Sequence, residues 1–472
     1  MKFFVFGTGK FYEYRKERLR LYMEGSECIG FLDNHRTGIF GGRTVYPPEQ
    51  GIRQPFDKIL LMSASAQEMC EQLLELGVPT EKILPWEEFR RGHDLDGELH
   101  VYAGKDAPQH GKKLLIVTEG LAYNGGALAA VYAGLVLQAR GWQVTLATSF
   151  IDEELLAEVQ ERGLTVIKCP SLPYIFSGER AFLRWFDIVL VNVFPMMVSA
   201  IEISQFHPVL WWIHDPSLLY PMTFQRFPNY VPRLLQFQGR ALAVSSIAAQ
   251  NFQDSGRIEG LLPYGIPDTA LPDGQSGDGS HGICFALIGT LEERKAQDVF
   301  LDAVSLLPHE ESSACKFLII GGLAENDYVR LLREKAMGLP EVNFTGKLTR
   351  AEMEEAFRQI DVVVCPSLED PLPIVVTEGM MHHKICIASD ATGQAQDIIR
   401  DGENGFICKA GDAASLAEKM AYVIEHFDEL DPMREKARET YERYFSMEAF
   451  GERLERELLL TEREYWEREK KG

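Results

Sequence analysis

The sequence predicts a mixed α/β chain built as three successive units, each a parallel, doubly wound sheet. Three observations carry that prediction. Short apolar runs alternate with helix-like stretches along most of the chain, and such alternation closes most readily into a parallel sheet with helices on both faces. Two polar, glycine-containing stretches, 93–111 and 271–282, punctuate the chain as linkers. Of the 472 residues, 46% are hydrophobic, enough for a core in each unit. The expected layout is a small unit over 1–92, larger units over 112–270 and 283–440, and a charged, helix-forming tail over 441–472.

Composition narrows the partners. The formal net charge is −22, which argues against DNA or RNA, since phosphate backbones need basic patches. It also limits attraction to anionic lipid to at most a local, peripheral contact. None of the eight cysteines forms a CxxC pair, and Cys28, Cys284, Cys365, Cys386 and Cys408 lie in or beside apolar runs. They read as buried thiols in a reducing compartment. Residues 1–7 are too short for a signal peptide, and no run of about 18 apolar residues predicts a membrane span. The expected location is the cytoplasm, at most peripheral to the inner face of the membrane.

In the first unit, residues 2–6 form a buried strand running into Gly7-Thr8-Gly9. A helix is expected over 12–24, strands over 28–33 and 58–62, and a helix over 66–76. Gly7 and Gly9 make half of a dinucleotide fingerprint, but Tyr12 replaces the third glycine. Asp33 sits about where a ribose-binding acid would. Asp94-Leu95-Asp96 has a metal-holding form, but in a polar linker a solvated charge pair is the expected reading.

In the second unit, the strand 114–118 leads into Tyr123-Asn124-Gly125-Gly126-Ala127, read as a glycine-rich turn, and a helix runs to Ala139 before Gly141 stops it. Later strands end at Trp212-Ile213-His214-Asp215-Pro216 and at Ala243-Val244-Ser245. In the third unit, a strand over 284–289 meets Gly289-Thr290-Leu291-Glu292-Glu293-Arg294-Lys295-Ala296. Cations at that helix start oppose the dipole unless an anion is near. Further along, Val362-Val363-Val364-Cys365-Pro366 is a strand and Pro373 sits where a helix begins, with Asp370 and Glu378 bracketing the turn at a spacing of seven intervening residues. Proline suits a first helical position, the free N–H groups there suit phosphate, and carboxylates suit sugar hydroxyls.

This last stretch resembles the donor-site motif of family 4 glycosyltransferases, retaining enzymes of the GT-B fold with two Rossmann-like domains facing a cleft. Asp370 stands where their first motif Glu usually stands, Glu378 matches the second, and Glu369 does not fit the spacing. The resemblance spans roughly residues 112–455, with Leu262-Pro263-Tyr264-Gly265-Ile266 and Asp401-Gly402-Glu403-Asn404-Gly405-Phe406 also in order. It implies a hexosyltransferase of the EC 2.4 class that moves a hexose or N-acetylhexosamine from a UDP- or GDP-linked sugar to a glycan, lipid-linked or protein acceptor, without a cofactor or metal. It implies catalytic roles for His214, Asp370 and Lys295. Donor contacts would come from Gly289, Thr290, Arg294, Lys295, Leu372, Ile374, Val375 and Glu378, and Gly125 and Gly126 would form the acceptor and phosphate loop. Thr290 stands at the usual Arg and Ala296 at the usual Gly, which leaves Arg294 as a candidate for the missing cation that the match itself does not assign. The tail is expected to cross back to the first half of the fold.

Residues 1–90 resemble the small domain fronting bacterial sugar acyltransferases and sugar-nucleotide dehydratases, through Phe31-Leu32-Asp33-Asn34, Gly38 and Gly42-Arg43-Thr44-Val45. A scaffold or docking role is the favoured reading, so a chain starting near residue 105 is expected to keep donor chemistry. Two other functions stay open at this point: a sugar-nucleotide epimerase on a related double-Rossmann scaffold, and a non-catalytic sugar-nucleotide-binding assembly partner. Donor, acceptor and oligomeric state are not specified by these residues.

Overall fold

A computed structural model describes residues 1–13, 16, 19, 26–89, 100–108, 110–169, 172, 183–253, 256–270, 282–322 and 326–470. Most of the helix expected over 12–24, the Asp94 and Asp96 pair and the linker residues 271–281 lie outside them.

The described residues form three sheets. The front sheet contains β1 (Lys2–Phe6), β2 (Glu27–Leu32), β3 (Gly38–Phe40), β4 (Arg43–Tyr46), β5 (Lys58–Leu61) and β6 (Ile83–Pro85), in the order β3-β4-β2-β1-β5-β6. All its pairs are parallel except β3 with β4.

The second sheet contains β7 (His100–Tyr102), β8 (Lys113–Leu121), β9 (Gln143–Ile151), β10 (Thr165–Lys168), β11 (Ile188–Asn192), β12 (Val209–Ile213), β13 (Arg240–Ala243) and β14 (Gly260–Leu261). Its order is β14-β13-β12-β11-β8-β9-β10-β7. The edge strand β7 runs antiparallel to β10, so part of the stretch expected to be linker is sheet. The Lys105 N–H also donates to the Gln160 carbonyl at 2.8 Å.

The third sheet contains β15 (Cys284–Ile288), β16 (Lys316–Ile320), β17 (Val342–Gly346), β18 (Val362–Cys365), β19 (Ile385–Ser389) and β20 (Phe406–Cys408), all parallel, in the order β17-β16-β15-β18-β19-β20. That order reverses between β15 and β18, as the second sheet reverses between β8 and β11. Ligands of open parallel sheets sit beyond the strand C-termini at such a reversal.

Five helices position the site: α1 (Ala66–Glu75), α2 (Gly125–Ala139), α3 (Leu219–Arg226), α4 (Ile374–Met381) and α5 (Met447–Glu469). Asn124 caps α2 by accepting the Ala127 N–H at 3.0 Å, which offsets one orphan donor of the first turn. Three strands feeding the cleft, β11, β12 and β18, are buried along their whole length and have no exposed face. Such continuous, mostly apolar runs are what a sheet covered on both sides requires.

The tail does cross back. α5 lies along α2, close enough that a Cβ on Gly451 would come within 2.5 Å of the Val136 side chain. Glu455 accepts from Arg140 and from the Trp142 indole N–H, both at 2.8 Å, and Arg240 pairs with Glu457 and Glu464. Phe450 stacks on Trp212 with ring centroids 5.5 Å apart. The preceding helix, Asp431–Tyr444, packs on α4. One C-terminal segment therefore backs both helices whose first turns face the cleft.

Candidate active site

The two reversal points open onto one cleft of about 960 Å³ between the second and third sheets. On the side of the third sheet, α4 begins after a turn held from several directions. The Tyr264 hydroxyl donates to the Leu372 carbonyl at 2.5 Å and the Gln394 amide to the Pro373 carbonyl at 2.7 Å. Gly393 lies so close that a Cβ there would come within 1.8 Å of the Pro371 oxygen. Pro373 is the cap, not the first helical residue, and gives no side-chain cap. The N–H groups of Ile374 and Val375 have no acceptor among the described residues, and both residues line the cleft. This is the electropositive end of a helix turned toward open space.

Lys295 reaches the same place from the loop after β15 and forms an ion pair with the buried carboxylate of Asp370. Arg294 stands beside it and also ties the loop together. Its guanidinium donates to the Glu369 carbonyl at 2.9 Å and to Glu292 at 2.8 Å, and stands 3.6 Å from Asp370. Both Arg294 and Lys295 line the cleft. Thr290 accepts the Gln297 amide on its carbonyl at 2.9 Å. Ala296 adopts φ 55°, ψ 44°, a left-handed conformation that favours glycine.

Across the cleft, Gly125 and Gly126 are the first two residues of α2, not members of the turn before it. Their lack of side chains lets two surfaces approach. A Cβ on Gly125 would sit 3.5 Å from Ile374 of the opposite half, and one on Gly126 would sit 2.9 Å from the Val193 side chain. Val193 holds φ 71°, a strained state for a β-branched residue of the kind that clusters at functional sites. It is over-determined there. Its N–H donates to the Trp212 carbonyl at 3.0 Å, its carbonyl accepts the Trp211 indole at 3.0 Å, and the next N–H, of Phe194, donates to Asp215 at 2.6 Å.

His214 follows β12 with its ring 4.2 Å from that of Trp212. Burial holds its pKa down at about 3, so the ring is neutral at working pH. Its Nε2 is buried without a hydrogen-bond partner among the described residues. Burial pushes the neighbouring Asp215 carboxyl up to about 7, against the amides of Phe194 and His214 that favour its charge.

The walls of the cleft thus bring together Gly125, Gly126, His214, Gly289, Thr290, Arg294, Lys295, Asp370, Leu372, Ile374 and Val375. Glu378 stands one turn further into α4, outside those walls. Burial pushes its carboxyl up to about 7, with Arg350 pulling the other way. His382 stacks on Phe357 at 4.5 Å, a packing role. In the front sheet, Asp33 is fully occupied by its own chain. It accepts the Thr8 hydroxyl at 2.6 Å and the N–H groups of Thr8, His35 and Arg36. Sequence reasoning passed over Asp215, Glu369 and Val193. Asp215 was signalled by standing next to a strand-end histidine; nothing local marks the other two.

Two Rossmann-like sheets facing one cleft are the layout of the GT-B fold. The family model of glycosyl transferases group 1 matches residues 276–440. The phosphatidyl-myo-inositol mannosyltransferase of Mycobacterium leprae is 32% identical over 325 residues, covering 64% of this chain and 83% of that protein. EpsD of Bacillus subtilis is 34% identical over 131 residues, 28% of this chain and 33% of its own length; this chain therefore spans only about a third of that relative. Among solved structures, Anabaena HepE in complex with UDP and glucose superposes with a TM-score of 0.61 at 18% identity, over 73% of this chain and 99% of HepE. The chain belongs to the glycosyl transferases group 1 family and is a glycosyltransferase of the EC 2.4 class.

Proposed function

We propose that the protein transfers a hexose or N-acetylhexosamine from a UDP- or GDP-linked sugar to an acceptor hydroxyl, with retention, in cell-envelope polysaccharide or other glycoconjugate synthesis. The acceptor is a glycan, a lipid-linked saccharide or a protein. The observation that supports this best is the convergence, in one cleft, of Lys295 and the open N-terminus of α4 opposite the neutral, unpartnered Nε2 of His214.

In this reading the diphosphate lies on the N–H groups of Ile374 and Val375 and takes Lys295 from Asp370, which is then free to accept sugar hydroxyls. Glu378 accepts the ribose hydroxyls. The acceptor oxygen attacks the anomeric carbon on the face that the diphosphate leaves. The bond from that carbon to the phosphate oxygen breaks, and a phosphate oxygen takes the acceptor proton. Products are the glycoside and the nucleoside diphosphate. Stabilising the leaving group and excluding water are the protein's share of the work. Because Lys295 and the helix end supply positive charge, activity is expected to survive chelation; an enzyme killed by EDTA and revived by manganese would sink that part.

The test is a thermal-shift screen of nucleotide sugars, since a ligand that binds only the folded state raises the midpoint. NMR of the product's anomeric centre then follows. A positive donor with an inverted product would overturn retention; no shift with any UDP or GDP sugar would overturn the donor class.

A further inference from the structure

We propose that Glu369 is a positioning residue that clamps the two halves of the cleft together beside the reacting centre and so keeps water from the bound sugar. This rests on the glycosyl-transfer reading of the cleft. Glu369 immediately precedes Asp370, but its side chain turns away from the donor side and reaches the opposite half. One oxygen accepts the Ser217 N–H at 2.6 Å and the Asn251 amide at 2.6 Å; the other accepts the Ser217 hydroxyl at 2.5 Å.

Both partners report to the acceptor side. Ser217 closes the loop that carries His214 and Asp215, and the Asn251 amide also donates to the Asp215 carbonyl at 3.3 Å. On its own half, Glu369 is anchored through its carbonyl to Arg294, and the Leu368 N–H donates to the Arg294 carbonyl at 2.8 Å. Two loops from different sheets, one bearing Asp370 and one bearing His214, are thereby fixed to each other by a single half-buried carboxylate. Charge-assisted bonds of this kind are short and geometrically demanding. Arg294, through the Glu369 carbonyl, stiffens the base of the clamp.

The test compares Glu369→Ala, Glu369→Gln and Asn251→Ala with the full-length wild type. Two quantities are read for each: sugar transferred to acceptor, and donor lost to hydrolysis. A misplacement of about 1 Å costs roughly 100-fold in rate, so Glu369→Ala is expected to lose about 10- to 100-fold in transfer. Nucleotide-sugar affinity should stay within about threefold, and the hydrolysed share of donor should rise. Glu369→Gln, which keeps an acceptor oxygen, should fall between. Asn251→Ala should shift the ratio the same way, and the double variant should be less than additive. Transfer and hydrolysis falling in proportion, as from a smaller folded fraction, would overturn the proposal. An independent measurement separates it from the donor reading: spin labels at the exposed positions Glu154 and Glu355, one on each half. Their distance distribution is expected to broaden in Glu369→Ala without any ligand; an unchanged distribution would overturn the clamp whatever the donor proves to be.

Discussion

At the scale of the residue, the site is a set of charges poised for exchange. Lys295 and Asp370 satisfy each other in the free protein. Lys295→Ala is expected to fold, because Arg294 remains 3.6 Å from the carboxylate. It should nevertheless lose about 3 kcal/mol of transition-state stabilisation, the usual consequence of removing one preorganised group from a developing charge. Turnover within about threefold of wild type would remove Lys295 from the mechanism. Glu378 sets a pH dependence. With its pKa raised to about 7 by burial, donor-free protein holds a proton there that the unfolded chain releases at lower pH. That contribution to stability is full below the ordinary carboxylate range and lost as pH rises through about 7. If the ionised form receives the ribose, affinity for a nucleotide sugar should climb from about pH 6 to 8 and then level. Glu378→Gln should flatten the climb. Calorimetry across that range with an intact nucleotide sugar is the measurement, since its diphosphate linkage does not titrate there; a wild-type affinity that does not vary would sink the assignment.

At the scale of the element, the two helix starts that face each other decide how close the halves can come. Gly126 has the harder constraint. An added methyl would stand 2.9 Å from Val193, and Val193 is fixed at a positive φ by three hydrogen bonds and cannot easily yield. Gly126→Ala should destabilise by about 1–3 kcal/mol, as overpacking does, and reduce transfer as well. Gly125→Ala meets only an ordinary contact at 3.5 Å and should leave the unfolding midpoint unchanged or slightly raised. Equal midpoints for the two variants would show that the approach to Val193 is not limiting.

At the scale of the whole molecule, the front unit is more than an appendage. Its helix α1 packs on α3 and on the segment Pro228–Gln236. Cys70 donates to the Asn229 side chain at 3.2 Å, and Asn229 donates to the Ile83 carbonyl at 3.3 Å. Leu219 and Arg226, the ends of α3, line the cleft on its acceptor side. A chain starting near residue 105 would also remove the edge strand β7, so the cut belongs just before residue 100. Such a truncated protein is expected to bind nucleotide sugar as the full chain does, to unfold at a lower temperature, and to show a raised KM for acceptor because α3 has lost its backing. Equal stability and equal acceptor KM would return the front unit to a passive role. Among the described residues no helix is long and apolar enough to cross a membrane.

The sequence by itself determined the alternation of strands and helices, the three sheets and the order of the motifs. The first two are written in local patterns: buried parallel strands as continuous apolar runs, and the start of α4 as Pro373. Most of the residues that line the cleft were named through the resemblance to family 4 glycosyltransferases, and in the structure they converge where strand C-termini meet at a reversal of sheet order. Only the tertiary structure decided that Arg294 serves the loop, that residues 100–102 join a sheet, that Asp33 is consumed by its own turn, and that Glu369 spans the cleft. The last depends on partners far away in the chain: Glu369 lies 152 residues from Ser217 and 118 from Asn251. No local pattern encodes a contact between two independently formed units, because a charged side chain beside a turn looks the same whether it meets water or the other half of the molecule.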